Sequence, residues 1–289
     1  MSQKPSLLIY GSCQGEYLAH VARYLSGVTD RYNIKLIALQ QVTEQDWETR
    51  YDEAFFADVR VVWNQVESGE PTIHRRILES RLRPDCQVVK FPPLILLCLW
   101  PFSGSDPRVA ASSDYVYPWS DSIAASLAPS LTGEDPPDDE LFARYMRLTT
   151  EKMPDLERRL RLDATRVRAV DALADIKVWD WVEAHFRTTR LFHAATHLTA
   201  LPFVYLLHRL LALTDGLSPA GIARARQEMT FLMRGNHGQD IEVVPVHPLV
   251  AERMGLTWYE PEARHRWHSH AWTYREYILK YIRWEPFLP

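Results

Sequence analysis

The sequence predicts an α/β protein, an N-terminal parallel sheet with flanking helices followed by a mostly helical C-terminal half. Three observations carry this. Four short apolar runs, SLLIYG, NIKLIAL, ADVRVVWNQ and CQVVKFP, recur between Ser6 and Pro92. Stretches with helical spacing separate them, the pattern of parallel strands joined by crossover helices. Beyond Tyr117 the apolar positions recur at helical spacing almost throughout.

In order, Ser6–Tyr10 reads as a buried strand. Gly11-Ser12-Cys13-Gln14-Gly15 then makes a tight turn, and Tyr17, Leu18, Val21 and Leu25 lie on one face of a helix from Gln14 to Leu25. NIKLIAL is the second strand, followed by an acidic helical stretch around Glu44 to Phe55. ADVRVVWNQ is the third strand, with a helix from about Thr72 to Leu82 after it, and CQVVKFP is the fourth. Pro92 to Tyr117 is irregular and reads as a long loop, which in a compact domain is more often functional than filler. DDELFARYMRLTTEKMPDLERRLR reads as one long helix with Asp138 or Asp139 as cap. IKVWDWVEAHF is another helix, TRLFHA a short strand, and HLTALPFVYLLHRLLAL a strongly apolar helix. SPAGIARARQEM carries Ser218 as cap and Pro219 at the first helical position. HPLVAERMGL and TYREYILKYIRW complete the set. The weakest point for a boundary is LTGEDPPDD. It divides the chain into an α/β half, 1–130, and a mainly helical half, 131–289, that completes a cleft, unless the whole is one compact domain.

At 289 residues with a net charge of −4, the chain has no global basic field of the kind that marks nucleic-acid binding. Its three cysteines, Cys13, Cys86 and Cys98, are too sparse for a disulfide framework, and none forms the CxxC pair of a structural zinc site. The most apolar run, FPPLILLCLWPF, is too short and proline-rich to span a membrane. With no signal-peptide pattern, the expected location is the cytoplasm.

Ligands of parallel sheets sit at the carboxyl ends of the strands. Cys13, Asn64, Gln65 and the segment after Lys90 all fall at such ends, so one cleft is able to gather them. A thiol at a helix N-terminus is favoured as thiolate, and the same backbone N–H groups bind phosphate or an oxyanion. The plainer alternative is a small buried residue packing a tight turn. The glycine spacing fits neither the dinucleotide fingerprint nor a P-loop, which would need Lys-Ser or Lys-Thr where Glu16-Tyr17 stand. A nucleophilic cysteine wants a base. His197 is the candidate, placed near the start of the apolar helix beside Thr196 as cap, where the dipole would keep it neutral; a packing histidine is the alternative. In RHRWHSHAW, His265, His268 and His270 lack a nearby carboxylate or cysteine, so an exposed aromatic loop is expected rather than a metal site. Arg75 and Arg76 in IHRRILESRLR and Arg234 in MRGNHG are candidates for phosphate contacts, against the plainer reading of solvated charge.

At IYGSCQGEYLAHVARYL the sequence resembles the WcbI-type polysaccharide biosynthesis acetyltransferase family, whose members open with a strand followed by Gly-Asn-Cys-Gln. Gly11, Cys13 and Gln14 match, and Ser12 replaces the Asn. ADVRVVWNQ resembles the family strand ending in a polar Gln, here Gln65, and FPPLILLCLWPF its proline-bearing aromatic loop. ADIKVWDWVEAHFRTTRLFHAATHLTAL resembles an Asp-rich helix followed by an Asn-His-Pro helix start. There His197 matches, while Thr196 and Leu198 replace Asn and Pro. EVVPVHPLVAERMGL resembles the closing segment, so the likeness spans roughly 6–255.

The resemblance implies a fold similar to SGNH and Rossmann-like proteins and a role in capsular polysaccharide biosynthesis. It also implies coenzyme A binding, with acetyl-CoA as co-substrate, and acetyl transfer to a sugar hydroxyl. On it, Cys13 and His197 are catalytic. Gly11, Ser12, Cys13, Gln14, Gly15 and Gln65 contact the cofactor, and the candidates Arg75, Arg76 and Arg234 would hold its phosphates. The partners are a capsular polysaccharide or its sugar precursor and other capsule biosynthesis proteins, with no nucleic acid, metal or transmembrane segment. Either His197 deprotonates the sugar while the turn around Cys13 holds the oxyanion, or Cys13 takes the acetyl group first. The opening also resembles SGNH hydrolases, with Cys13 in the place of their Ser, which keeps an esterase or thioesterase as an alternative. A non-catalytic coenzyme A- or sugar-binding capsule component is the third reading.

Overall fold

A computed structural model describes residues 4–67, 69, 72–104, 106–108 and 121–283. Of the expected Pro92–Tyr117 loop, positions 105 and 109–117 lie outside the described residues. The chain begins with β1 (Ser6–Gly11), α1 (Cys13–Ala22), α2 (Ser26–Thr29), β2 (Asn33–Ala38), α3 (Asp46–Thr49), α4 (Glu53–Phe56), β3 (Val59–Gln65), α5 (Ile73–Arg81) and β4 (Gln87–Phe91). It continues with α6 (Ser122–Ser126), α7 (Pro129–Thr132), α8 (Asp138–Glu151), α9 (Leu156–Asp171), α10 (Trp179–His185), α11 (Ala200–Leu213) and α12 (Pro219–Leu232). It closes with α13 (Pro248–Met254), β5 (His265–Trp267), β6 (His270–Trp272) and α14 (Tyr274–Arg283). Two compact units share this chain. One takes its residues from 1–94, 165–182 and 198–238, the other from 95–164, 183–197 and 239–289.

The first unit is the expected α/β sheet. Its four strands are parallel, in the order β2-β1-β3-β4. β1 is buried along its whole length, as a strand covered on both faces must be, which is why SLLIYG reads as an unbroken apolar run. From β1 the chain steps outward to β2, then returns to the other side of β1 as β3. The β1/β3 pair is therefore the switch point, where such sheets take their ligands. On one side of the sheet Leu8, Tyr10, Val62, Trp47, Phe56 and Leu78 form a closed cluster. Trp63 is fully buried, and its indole N–H donates to Thr214 Oγ1 at 2.9 Å, beyond the end of α11. The β4 edge is not left open: Lys90 N–H donates to Asp175 Oδ2 at 2.7 Å, and Gln87 clamps Leu213 O and Asp215 N–H with its amide.

In the second unit α14 packs on α6 and α8. Asp163 accepts from the N–H groups of Leu97 and Cys98 at 2.9 and 2.7 Å, so the FPPLILLCLWPF segment is pinned by backbone bonds rather than by regular structure.

Several expected elements change. The first helix runs Cys13–Ala22, one residue earlier at its start and three shorter at its end. The acidic stretch splits into the single turns α3 and α4, with Tyr51 buried between them and Asp52 capping the second. The long helix expected from Asp138 breaks after Glu151. Pro154 disfavours helix in the residue before it, and Asp155 restarts the chain by accepting from Arg158 N–H at 2.9 Å. TRLFHA forms no named strand among the described residues. RHRWHSHAW is not an exposed loop but an antiparallel hairpin with Trp267 at its core and His265 buried.

Candidate functional site

The turn after β1 is held by a connected set of side-chain hydrogen bonds within the first unit. Ser12, the cap of α1, does not turn its hydroxyl back on the helix. Its N–H and Oγ instead both donate to Gln65 Oε1, at 2.7 and 2.8 Å. Gln65 Nε2 donates to Gln14 Oε1 at 3.2 Å. Gln14 in turn binds Leu94 through both ends of its amide, accepting from N–H at 3.0 Å and donating to C=O at 2.8 Å. Gln14 and Gln65 are both buried. They form a relay of amides that ties the turn to the end of β3 and to the segment after β4. This relay demands glycine at position 11, where a Cβ would stand 2.9 Å from Gln65 Oε1 and 3.1 Å from Gly15 Cα. Gly15 is different, since a Cβ there would meet nothing closer than 3.8 Å. Cys13 is the first residue of α1 and is partly exposed, whereas Cys98 is buried. Burial pushes the Cys86 thiol up to about 11 and raises Cys98 further still.

The expected phosphate ligands differ in setting. Arg75 is buried on α5, with its Nε 3.1 Å from Glu79. Arg76, its neighbour, is exposed. Arg234 is exposed just beyond α12, in a segment fixed to α1 by Tyr17, whose hydroxyl donates to Asn236 Oδ1 at 2.6 Å and whose ring stacks on Phe203. Tyr17 thus ties the Arg234 segment to the helix that begins with Cys13.

His197 belongs to the second unit. The expected cap is not Thr196 but Thr199, and α11 begins at Ala200, so His197 precedes the helix. Burial, not the helix dipole, lowers its pKa, against the opposing pull of the Glu242 carboxylate and a hydrogen bond to the Glu242 backbone. Its Nδ1 lies 3.8 Å from Glu242 Oε2. His268 Nε2 lies 3.7 Å from the other carboxylate oxygen, on a backbone with φ of 50°. Glu242 therefore sits between two imidazoles. Nothing in the sequence pattern singles it out, because the hairpin that presents His268 is itself hidden in RHRWHSHAW. Among the described residues there is no group of three or more His, Cys, Asp or Glu able to hold a metal ion. No helix there is long and apolar enough to cross a membrane.

A parallel sheet with a thiol-bearing, amide-locked turn at its switch point defines an α/β protein of the class whose ligands meet the carboxyl ends of the strands. Residues 6–217 match the family described as polysaccharide biosynthesis enzyme WcbI, and the chain belongs to that family. Among solved structures it is similar to a native WcbI, described as a novel polysaccharide biosynthesis enzyme in a form without a disulfide bond between coenzyme A and one of its cysteines. The TM-score is 0.71 at 16% identity, over 98% of this chain and 90% of that one. At that identity the likeness is one of fold. No curated protein matches the chain.

Proposed function

We propose that the protein binds coenzyme A thioesters at the turn after β1 and transfers acetyl from acetyl-CoA to a sugar hydroxyl in polysaccharide biosynthesis. The observation that carries this reading is the turn itself, a helix start and a partly exposed thiol held rigid by Gln14 and Gln65 at the switch point of the sheet. Such helix starts receive phosphate and stabilise oxyanions. The solved family member, whose description names coenzyme A and a cysteine together, supports the choice of ligand. Gly11, Ser12, Cys13, Gln14, Gly15 and Gln65 build this site, Gln14 and Gln65 from behind it, and Arg76 and Arg234 offer exposed guanidinium groups for phosphate.

In the direct version the sugar oxygen attacks the thioester carbonyl. The turn N–H groups hold the oxyanion, a base takes the hydroxyl proton, for which His197 is the candidate, and the coenzyme A thiolate leaves. His197 suits the part because burial keeps it neutral and Glu242 can orient it. In the alternative version Cys13 is acetylated first and the sugar then takes the acetyl group from it.

Thermal unfolding with coenzyme A or acetyl-CoA tests the ligand. Tm rises with either one, as for any ligand specific to the folded state, and coenzyme A slows alkylation of Cys13 but not of Cys86. Direct transfer predicts that Cys13→Ser retains measurable turnover, while His197→Ala loses about two to four orders of magnitude in rate. An acetyl-thioester trapped on Cys13, with no turnover in Cys13→Ser, would establish the two-step route instead. Release of acetate with no acetylated sugar would make the protein a hydrolase.

A further inference from the structure

The hairpin β5–β6 buries His265, and the function proposed above makes no use of it. The residue is 5% exposed, and its Nδ1 is buried with no hydrogen-bond partner among the described residues. A buried polar atom in that state is costly and asks for a cause. The ring lines a cavity of about 130 Å³ in the second unit, which Arg190, Val246, Trp258 and Ala263 also line. A cavity of roughly 150 Å³ takes benzene, so this one takes about six non-hydrogen atoms. Arg190 is held on two sides. Its Nε donates to Phe192 O at 3.2 Å, and its guanidinium carbon lies 5.4 Å from the ring centre of Trp258. Trp258 is fixed in turn, its indole N–H donating to Phe186 O at 2.7 Å. Burial pulls the Arg190 pKa down to about 10, which leaves the group charged at pH 7. Burial, then the Arg190 charge, then His193, push His265 down to about 4, so its imidazole is neutral at pH 7.

These groups select by charge and by size. The Arg190 charge repels cations. A wholly apolar molecule would shut the guanidinium and His265 Nδ1 away from water while offering neither a hydrogen-bond acceptor. A carboxylate serves both, one oxygen accepting from the guanidinium and the other from the Nδ1–H tautomer of His265. Val246, Ala263 and the Trp258 ring give the remaining atoms apolar walls. Glu260, an exposed residue of the same lining, disfavours a second negative charge on the ligand. We propose that this cavity binds a small monocarboxylate, its carboxylate between Arg190 and His265 and its short carbon chain against Val246 and Ala263. Two sources share this chemistry: a free short-chain acid, and the carboxylate of an acidic sugar whose ring stays outside the cavity. Neither coenzyme A nor the turn after β1 enters the argument, so the site stands apart from the proposed function.

The test follows the imidazole signals of His265 by NMR on the full chain at pH 7.5, assigned by their loss in His265→Gln. The probes are propionate, propionamide, which has the same shape without the charge, and sulfate, a dianion. Propionate is expected to shift the His265 signals to saturation at millimolar concentration, as befits so small a ligand. Propionamide and sulfate are expected to bind at least about tenfold more weakly. Arg190→Gln, which removes the charge, is expected to weaken propionate binding at least about tenfold, and Arg190→Lys, which keeps the charge and loses the planar fork, by less. Circular dichroism and Tm control for folding of the variants. The proposal is overturned if propionate leaves the His265 signals unmoved, if propionamide or sulfate binds as well as propionate, or if folded Arg190→Gln binds propionate like the wild type. Should Arg190→Gln fail to fold, the three probes on the wild-type chain still decide. Methyl glucuronide separates the two sources: displacement of propionate from His265 assigns the site to an acidic sugar, and no displacement assigns it to free short-chain acids. A chain that binds propionate and not coenzyme A would overturn the ligand assigned to the turn and leave this site standing.

Discussion

Gln65 satisfies three partners with one amide: two donors from Ser12 on its oxygen and the Gln14 carbonyl on its nitrogen. Its buried position leaves no water to replace them. Gln65→Ala is therefore expected to cost about 2–4 kcal/mol, because it leaves polar groups buried and unpaired. Gly11→Ala is expected to cost about 1–3 kcal/mol, since its Cβ would press on Gln65 and on the Gly15 backbone. Gly15→Ala separates stability from binding. It has room for a Cβ and lies within α1, so stability should hold or rise by up to about 1 kcal/mol. If the ligand approaches the backbone there, the coenzyme A shift should nevertheless shrink. Urea unfolding and thermal shift on the three variants check this. The Gly-Ser-Cys-Gln segment was legible as a special turn because two glycines interrupt an apolar run. That Gln14 and Gln65 face each other was not legible, since their contact joins the first turn of α1 to the end of β3 and follows only from the β1/β3 pairing.

At the level of elements, the pattern that failed is as instructive as the one that held. The four strands were readable because each is an apolar run bounded by turn residues. The break at Pro154 was written in the sequence but masked by helical spacing on both sides of it. The hairpin β5–β6 was masked by its turn, where His268 adopts the positive φ usually given to Gly or Asn. Its period-two signal, His265 and Trp267 against His270 and Trp272, is short. The buried groups of the second unit set an acid limb to its stability. His247 and His265 are each pushed down to about 4, chiefly by burial. Between pH 6.5 and about 4 the unfolded chain takes up protons that the fold refuses, so stability falls as pH falls. Asp121 acts oppositely. Burial raises it from 3.8 to about 6, so over that interval the fold keeps a proton that the unfolded chain releases. Asp121→Asn is therefore expected to make the decline between pH 6 and 4 steeper. The slope should grow by up to about 1.4 kcal/mol per pH unit, read from urea midpoints at successive pH values.

For the whole molecule, the chain does not complete its sheet unit in one pass. The α/β unit needs 165–182 and 198–238 as well as 1–94. A fragment ending at the expected boundary, 1–130, would lack Thr214, Asp215 and Asp175. Trp63, Gln87 and Lys90 would then lose the partners that close the inner face and the β4 edge. That fragment is expected to lack a cooperative unfolding transition by circular dichroism, whereas the full chain shows one; a cooperative fragment would mean that the first 130 residues fold alone.

The amide relay behind Cys13 also orders events in time. Its links join positions 53, 51 and 80 residues apart in the chain. Contacts of such separation form late, after the loop-closure entropy has been met. The turn cannot lock until β3 is in register with β1 and the segment after β4 has arrived. A nascent or half-folded chain therefore carries an unlocked thiol, and the proposed ligand turn ripens only once β3 and the segment after β4 are in place.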